Sequence, residues 1–592
     1  MCDARRYRRS WESNQVSKLY LLPLIILALA GCADESRITA QQIFHNAKIV
    51  TVDDGFTIAD AIAIDDGKIL AVGSNEEIMA FRGEQTIVTD LDGRMMLPGL
   101  IDTHQHVLSS AMTELDHPIP SMLTVADVLD YIRSRASVTP AGQPIWVRDV
   151  FPTRLLEYRY PSRAEMDSAT VDHPVFFSPF DVSPVVSLNS MALASLGIDR
   201  NFQAEDPDDI LKDENGEPTG IIKNPARYIN DESRQISTDY QDRRSQYRKL
   251  MGIYNSVGFT TVVDRNAPGD VAEFYKNIAD IDEATVRISI FHELDSSREL
   301  EFIQNEIKRI GQLPLHTEKD PMVQLIGVKT YSDGGILSGG SYMLEPWGVN
   351  EIYQLTDPEY KGKLFNTKER LAEMIKTAVS EGLQFTSHAV GDGAVNEVVA
   401  AYEEAAKTVP VKGSRASVTH SNFMSSYAIE KMAELEIVAD IQPYWFYLDS
   451  NALIKHFGYD RLQFFQPLRS LFDAGVVVAG GSDHWLGEDP NNGVNPYNPF
   501  LGMWISISRQ ARYVDAAVYP EESLNRQQAL QMFTTNASYA ISREEELGSL
   551  EAGKLADFVI IDRDILNSTV DEIRDTKVLK TYLGGELVYE SR

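Results

Sequence analysis

Cysteine is almost missing from this 592-residue chain: Cys2 and Cys32 are the only two. Basic side chains are scarce as well. Lys and Arg total 55 against 87 Asp and Glu, a formal net charge of −32, and such a surface repels nucleic acid and anionic lipid headgroups. The apolar stretch near the N-terminus, "LYLLPLIILALA" from Leu19 to Ala30, has 12 residues; a bilayer span needs about 20. No internal repeat and no low-complexity tract is visible. With 43% apolar and 24% charged residues, the chain has too many apolar side chains for a disordered protein. What remains is a globular chain of roughly two to four units, one of which has room to be a barrel of about 250 residues.

The N-terminus reads as a leader. Arg5, Arg6, Arg8, Arg9 and Lys18 form a basic region ahead of the apolar stretch, the arrangement of a secretory signal peptide. The following "LAGC", Leu29 to Cys32, resembles the lipobox of a bacterial lipoprotein, which implies cleavage after Gly31 and acylation of Cys32. An ordinary cleavage site beside a chance cysteine is the plainer alternative. Acylation would leave no cysteine for an internal disulfide, so stability must come from core burial or bound metal. The acyl anchor alone would hold the protein to a membrane. Ala33 in place of a retention aspartate points, by the same resemblance, to the outer membrane facing the periplasm.

Residues 43–98 alternate short strands with tight turns, marked by Asp66-Gly67 and Asp92-Gly93. The far end repeats the pattern in "GKLADFVIID" and in a hairpin at Gly584-Gly585. Two small sheets would each expose a face, so one composite β-sandwich built from both termini is expected (43–98 and 547–592), with 32–42 a linker. The middle, 99–546, alternates strands and helices, which argues for an α/β fold with a parallel sheet. Strand candidates are "GFTTVVD", "VRISIFHEL", "LIGVKTYSDG", "LQFTSHAVG", "ASVTHSN", "IVADIQPYW" and "VVVAGGSD". Their spacing fits a (β/α)8 TIM barrel at about 30 residues per unit. His388 and His420 are one unit apart, and His420 and Asp483 two. The interval from His106 to Lys329 exceeds three units by roughly 130 residues, so a small domain is inserted there, at about 140–250.

Several strands end in ionisable residues, and the C-terminal strand ends form the active face of such a barrel. In "PGLIDTHQHV", side-chain alternation puts Asp102, His104 and His106 on one face. Two imidazoles on one face fit a single divalent metal, with Asp102 orienting a histidine; a hydrogen-bonded structural pair is the alternative. His388, His420 and Asp483 each close an apolar strand at the same end, which favours the metal. Lys329 sits near the end of a buried strand. Burial favours its neutral amine, and a neutral amine can add carbon dioxide to form a carbamate that bridges two cations. Pairing with Asp333 or another carboxylate is the plainer alternative.

"LPGLIDTHQHV", "HAVGDGAV", "AGGSDHW" and "GSLEAGKLADFVIID" together resemble the amidohydrolase superfamily, and within it the amidohydrolase-3 branch that includes N-substituted formamide deformylases. The likeness runs from about Ile43 to Tyr589. It implies His104, His106 and Asp483 at one metal, His388 and His420 at a second, and Lys329 between them. Four residues depart from the family pattern. Gly393 stands where relatives often have Arg, Val182-Ser183 replaces a Gly-His pair, and Thr419 replaces an acidic residue.

The expected chemistry is hydrolysis of a non-peptide C–N bond in a small-molecule substrate. Zinc is the expected ion, one or two per chain, supplying hydroxide near neutral pH. Asp483 would be the catalytic residue, taking the water proton and passing it to the leaving nitrogen; a ligand-only role is the alternative. Tyr342, Trp347, Tyr444, Trp445, Tyr447 and Trp485 are placed near the mouth, where they would hold an apolar acyl group or merely pack loops. An ester or lactone hydrolase would use the same centre. A deaminase would usually carry a Glu after the lone His, which "HAVGDG" lacks. A non-catalytic metal-binding lipoprotein is the third alternative. An oligomer is compatible with the sequence.

Overall fold

A computed structural model describes residues 38–179, 185–229 and 239–592. The leader, Cys32 and the Val182-Ser183 pair lie outside the described residues. Eight strands form one all-parallel sheet: β1 (Leu100–Gln105), β2 (Phe259–Asp264), β3 (Arg287–Glu293), β4 (Val323–Tyr331), β5 (Gln384–Ala389), β6 (Ser417–His420), β7 (Val438–Ile441) and β8 (Val478–Gly480). Each pairs in parallel with the next. The ring closes through the parallel bridge between Gln105 and His484 and through Asp483 N–H donating to His104 O at 2.8 Å. The strands are buried on both faces, as the continuous apolar runs demand, and helices separate most of them. This is the expected α/β barrel.

The register shifts at several points of this sheet, and one of them falls in the site-bearing strand. Val262 faces Asp102, but two residues later Asp264 faces Gln105, so β1 carries one extra residue against β2. Such an insertion turns successive side chains off the two-residue period. Asp102 therefore does not orient a histidine ring. Its Oδ1 accepts from the backbone N–H of His104 and of Ser482, and its Oδ2 from Gln105 Nε2. It ties β1 to the segment after β8, where burial pushes its carboxyl up to about 7 against those hydrogen bonds.

Both chain ends contribute to a six-stranded sheet. Met95–Pro98 pairs with Phe558–Ile561 on one side and Lys48–Val50 on the other. A four-stranded sheet from Gln42 to Asp90 shares its core, where Phe44 and Ile62 meet Met96 and Phe558. The Phe558 and Tyr582 rings stack at 4.5 Å. Gly99 links this sheet to β1, and a Cβ there would lie 2.2 Å from Thr260 Oγ1, so only glycine fits. Between β1 and β2 a five-stranded sheet, residues 145–223, stands apart from the barrel with its own apolar clusters. Arg154, within that excursion, makes a bidentate ion pair at 2.7 and 3.1 Å with buried Asp449 on the helix Pro443–Phe457 that follows β7.

Candidate functional site

The C-terminal ends of β1, β4, β5 and β6, with the segment after β8, converge. His104 Nε2 lies 3.2 Å from Asp483 Oδ1, and His106 Nε2 lies 3.1 Å from the same oxygen. Lys329 Nζ is 3.4 Å from His104 Nε2. The His420 ring sits 5.0 Å from that of His104 and 4.5 Å from that of His388. All six side chains singled out in the sequence thus gather at one end of the barrel. Within them, His104, His420 and Asp483 are tightest, with ligand atoms mutually within 4.8 Å. That trio crosses the grouping implied by resemblance, which put His420 with His388 instead. His106 stands at the N-cap position of the helix Val107–Met112 and is the more exposed imidazole.

The backbone is strained to bring them there. His420 has φ +79° and Asp483 φ +55°. Left-handed conformations in non-glycine residues cost about 1–3 kcal/mol and collect at active sites.

Burial strips these imidazoles of charge. His104 and His420 are held well below the usual histidine range, first by burial and then by neighbouring cationic groups. Burial likewise takes His388 down to about 3. It also lowers the Lys329 amine to about 8, although Asp483 pulls upward. Lys329 is not paired with Asp333, whose oxygens accept the backbone N–H groups of Tyr342, Val390 and Gly391 at 2.9–3.0 Å. Its amine instead lies over the Tyr331 ring, 5.1 Å from the centroid.

Asp440 and Gln442 carry information that the sequence reading missed. Asp440 Oδ2 lies 3.2 Å from His104 Nδ1, and Gln442 Oε1 lies 2.7 Å from His420 Nδ1. Alternation of Asp440 and Gln442 across "ADIQ" was the available signal. An acceptor beside each Nδ1 favours the tautomer with its proton there and the lone pair on Nε2. The His104 lone pair then faces the Asp483 oxygen at 3.2 Å and the Lys329 amine at 3.4 Å. His388 Nε2 is buried without a hydrogen-bond partner, 3.6 Å from Asp333 Oδ1. Lone pairs converging in this way repel each other unless a cation lies among them, so the donor set fits a divalent metal.

Of the six aromatic residues assigned to the mouth, Trp445 touches the cluster. Its indole stacks on the His420 ring at 4.7 Å and 14°. Tyr342 lies against Gly393, where an added Cβ would meet its ring at 2.8 Å. Trp347 packs on Tyr353 and Phe457, Tyr447 on Trp504, and Trp485 on Phe151. Tyr444 is fully buried and donates to Asn498 O. His484 turns away toward Gly487 O and Tyr254.

A parallel eight-stranded barrel with histidines and a carboxylate gathered at its C-terminal rim has the form of a barrel enzyme with a metal-type site. The chain belongs to the amidohydrolase family, whose profile matches residues 88–589. It is similar to an N-substituted formamide deformylase of Arthrobacter pascens, 27% identical over 563 residues, covering 92% of this chain and 97% of the relative. It is also similar to the protein LONG AFTER FAR-RED 3 of Arabidopsis thaliana, 27% identical over 574 residues, covering 93% and 92%. Among solved structures, an uncharacterized metal-dependent hydrolase from Pyrococcus furiosus superposes with a TM-score of 0.62 at 20% identity, covering 89% of this chain and all of that one. The likeness in structure shows the shared fold.

Proposed function

We propose that this amidohydrolase is a metal-dependent enzyme that cleaves an amide-type, non-peptide C–N bond in a small molecule. The observation that carries the reading is the trio of His104, His420 and Asp483, neutral imidazole lone pairs and a carboxylate directed at one point. His106, His388 and Lys329 complete the donor set, and zinc suits its imidazoles and carboxylate. The similarity to a formamide deformylase favours amides.

A bound divalent cation would supply Lewis acidity to a carbonyl and lower the pKa of water. The chain does the rest. Asp483, buried beside His104 and His106 at the rim, accepts the proton of the attacking water and returns it to the departing nitrogen. Asp440 and Gln442 hold the His104 and His420 protons on Nδ1. Trp445 covers one face of His420 and keeps bulk water from it. Lys329 takes part as the neutral amine or as its carbamate, for which burial and the lowered pKa prepare it.

The leader and Cys32 support a lipid-anchored protein at the outer membrane, facing the periplasm. Radiolabelled palmitate should enter wild-type protein and not Cys32→Ser.

The activity test is a panel of N-formyl amines, N-acyl amino acids and lactones against metal-loaded and chelator-treated protein. Metal-dependent release of amine is expected. Turnover of lactones alone would transfer the reading to ester chemistry, and no turnover by the loaded protein would refute it.

A further inference from the structure

Two opposite charges lie buried beneath the cluster. Asp440 on β7 and Arg265, the residue after β2, are 0% and 1% exposed. Asp440 Oδ1 accepts from Thr103 Oγ1 at 2.6 Å. Its Oδ2 lies 3.2 Å from His104 Nδ1 and 3.3 Å from Arg265 Nη2. Arg265 is fixed in turn: Nε donates to Thr103 O at 2.8 Å, and the guanidinium lies over the Phe291 ring at 4.4 Å. A barrel layer is ordinarily filled by Val, Ile and Leu, and a buried ion pair is seldom more stabilising than apolar side chains of like volume. The pair therefore needs a reason other than packing. An ionised carboxylate only accepts hydrogen bonds. Held against Nδ1, it fixes the His104 proton there and turns the Nε2 lone pair toward Asp483 and His420. Asp102, the acidic neighbour in sequence, bonds backbone and Gln105 instead.

We propose that Asp440, charge-balanced by Arg265, is a positioning residue that sets the tautomer and ring direction of His104 and thereby the affinity of the site for its cation. The proposal rests on the metal-dependent reading above and deepens it by naming what orients the ligand. Partners of this kind are worth about 10–100-fold in metal affinity.

The test replaces both charges together, Arg265→Met with Asp440→Leu, so that neither is left buried alone. Zinc affinity is measured by chelator competition. In the metal-free protein, imidazole 15N shifts after histidine labelling report the tautomer, with His104 assigned through His104→Gln. The double variant is expected to bind zinc about 10–100-fold more weakly and to lose the Nδ1–H signature of His104. Unchanged affinity together with an unchanged tautomer overturns the proposal. Should the double variant not fold, Asp440→Glu carries the same test, because it keeps the charge while displacing the carboxylate; zinc binding as tight as wild type would then count against positioning. Failure of the metal-dependent reading looks different. Wild-type protein would bind no zinc, while the tautomer readout would still decide the role of Asp440.

Discussion

Lys329→Met should make the metal-free protein more stable while depriving the site of its amine. Lys329 is about 1% exposed, without a salt-bridged carboxylate among the described residues, and its amine titrates at about 8 in place of 10.5, chiefly through burial. Below pH 8 both folded and unfolded chains carry the proton, and the folded chain bears the whole cost of the buried charge. Between pH 8 and 10.5 the unfolded chain binds more protons than the folded one, so stability rises with pH; above 10.5 the cost is gone. A shift of this size is worth about 3 kcal/mol. Methionine has a similar length and no charge, so the substitution should recover most of it at pH 7. With about 2.1 cal/mol/K of unfolding entropy per residue, a chain this long responds by only about 2–3 °C. Calorimetry of chelator-treated wild type and variant, in bicarbonate-free buffer at pH 7 and pH 10.5, should give a higher midpoint for the variant at pH 7 and little difference at pH 10.5. A variant less stable at pH 7, or a gain that ignores pH, would refute the reasoning.

Asp483→Asn should retain bound metal and lose about 10²–10⁴-fold in turnover on any active amide, measured as kcat with metal content determined alongside; a near-wild-type rate would remove its proton-transfer role. Arg154→Met or Asp449→Leu alone should destabilise by about 3–5 kcal/mol, because each strands a buried charge, while the double variant should recover most of the loss; urea denaturation of the three variants closes the cycle. At Gly391 an added Cβ would meet Tyr342 O at 2.1 Å, and neither backbone can yield freely. Gly391→Ala should therefore cost about 1–3 kcal/mol, seen as a lower thermal midpoint, and should weaken metal binding through His388 at the end of the same segment.

The strand ends were legible because a strand that is apolar along its length and polar at its close leaves a clear signal. That signal found His388, His420 and Asp483, and the barrel as a whole. The excess length between His106 and Lys329 revealed an insertion, and turn residues at both ends revealed the shared sheet. Asp102 was misread because period-two alternation presumes an unbroken register, and the extra residue in β1 breaks it. Asp440 escaped because a single acid inside "VADIQ" looks like any half-buried strand position, and its partners Thr103 and Arg265 come from distant parts of the chain. Aromatic residues near the mouth could be located but not aimed: Trp445 turns to His420, while Trp347 and Tyr447 pack on other side chains. The close association of His420 with His104 and Asp483 depends on ring directions set by Gln442 and Asp440, which strand spacing does not encode.

The most direct measurement is metal content after equilibrium dialysis against zinc, for wild type and for His104→Ala combined with His420→Ala. The account requires wild type to retain at least one ion per chain and the double variant, still folded, to lose it. Wild-type protein that retains none, or a double variant that retains as much, would contradict it.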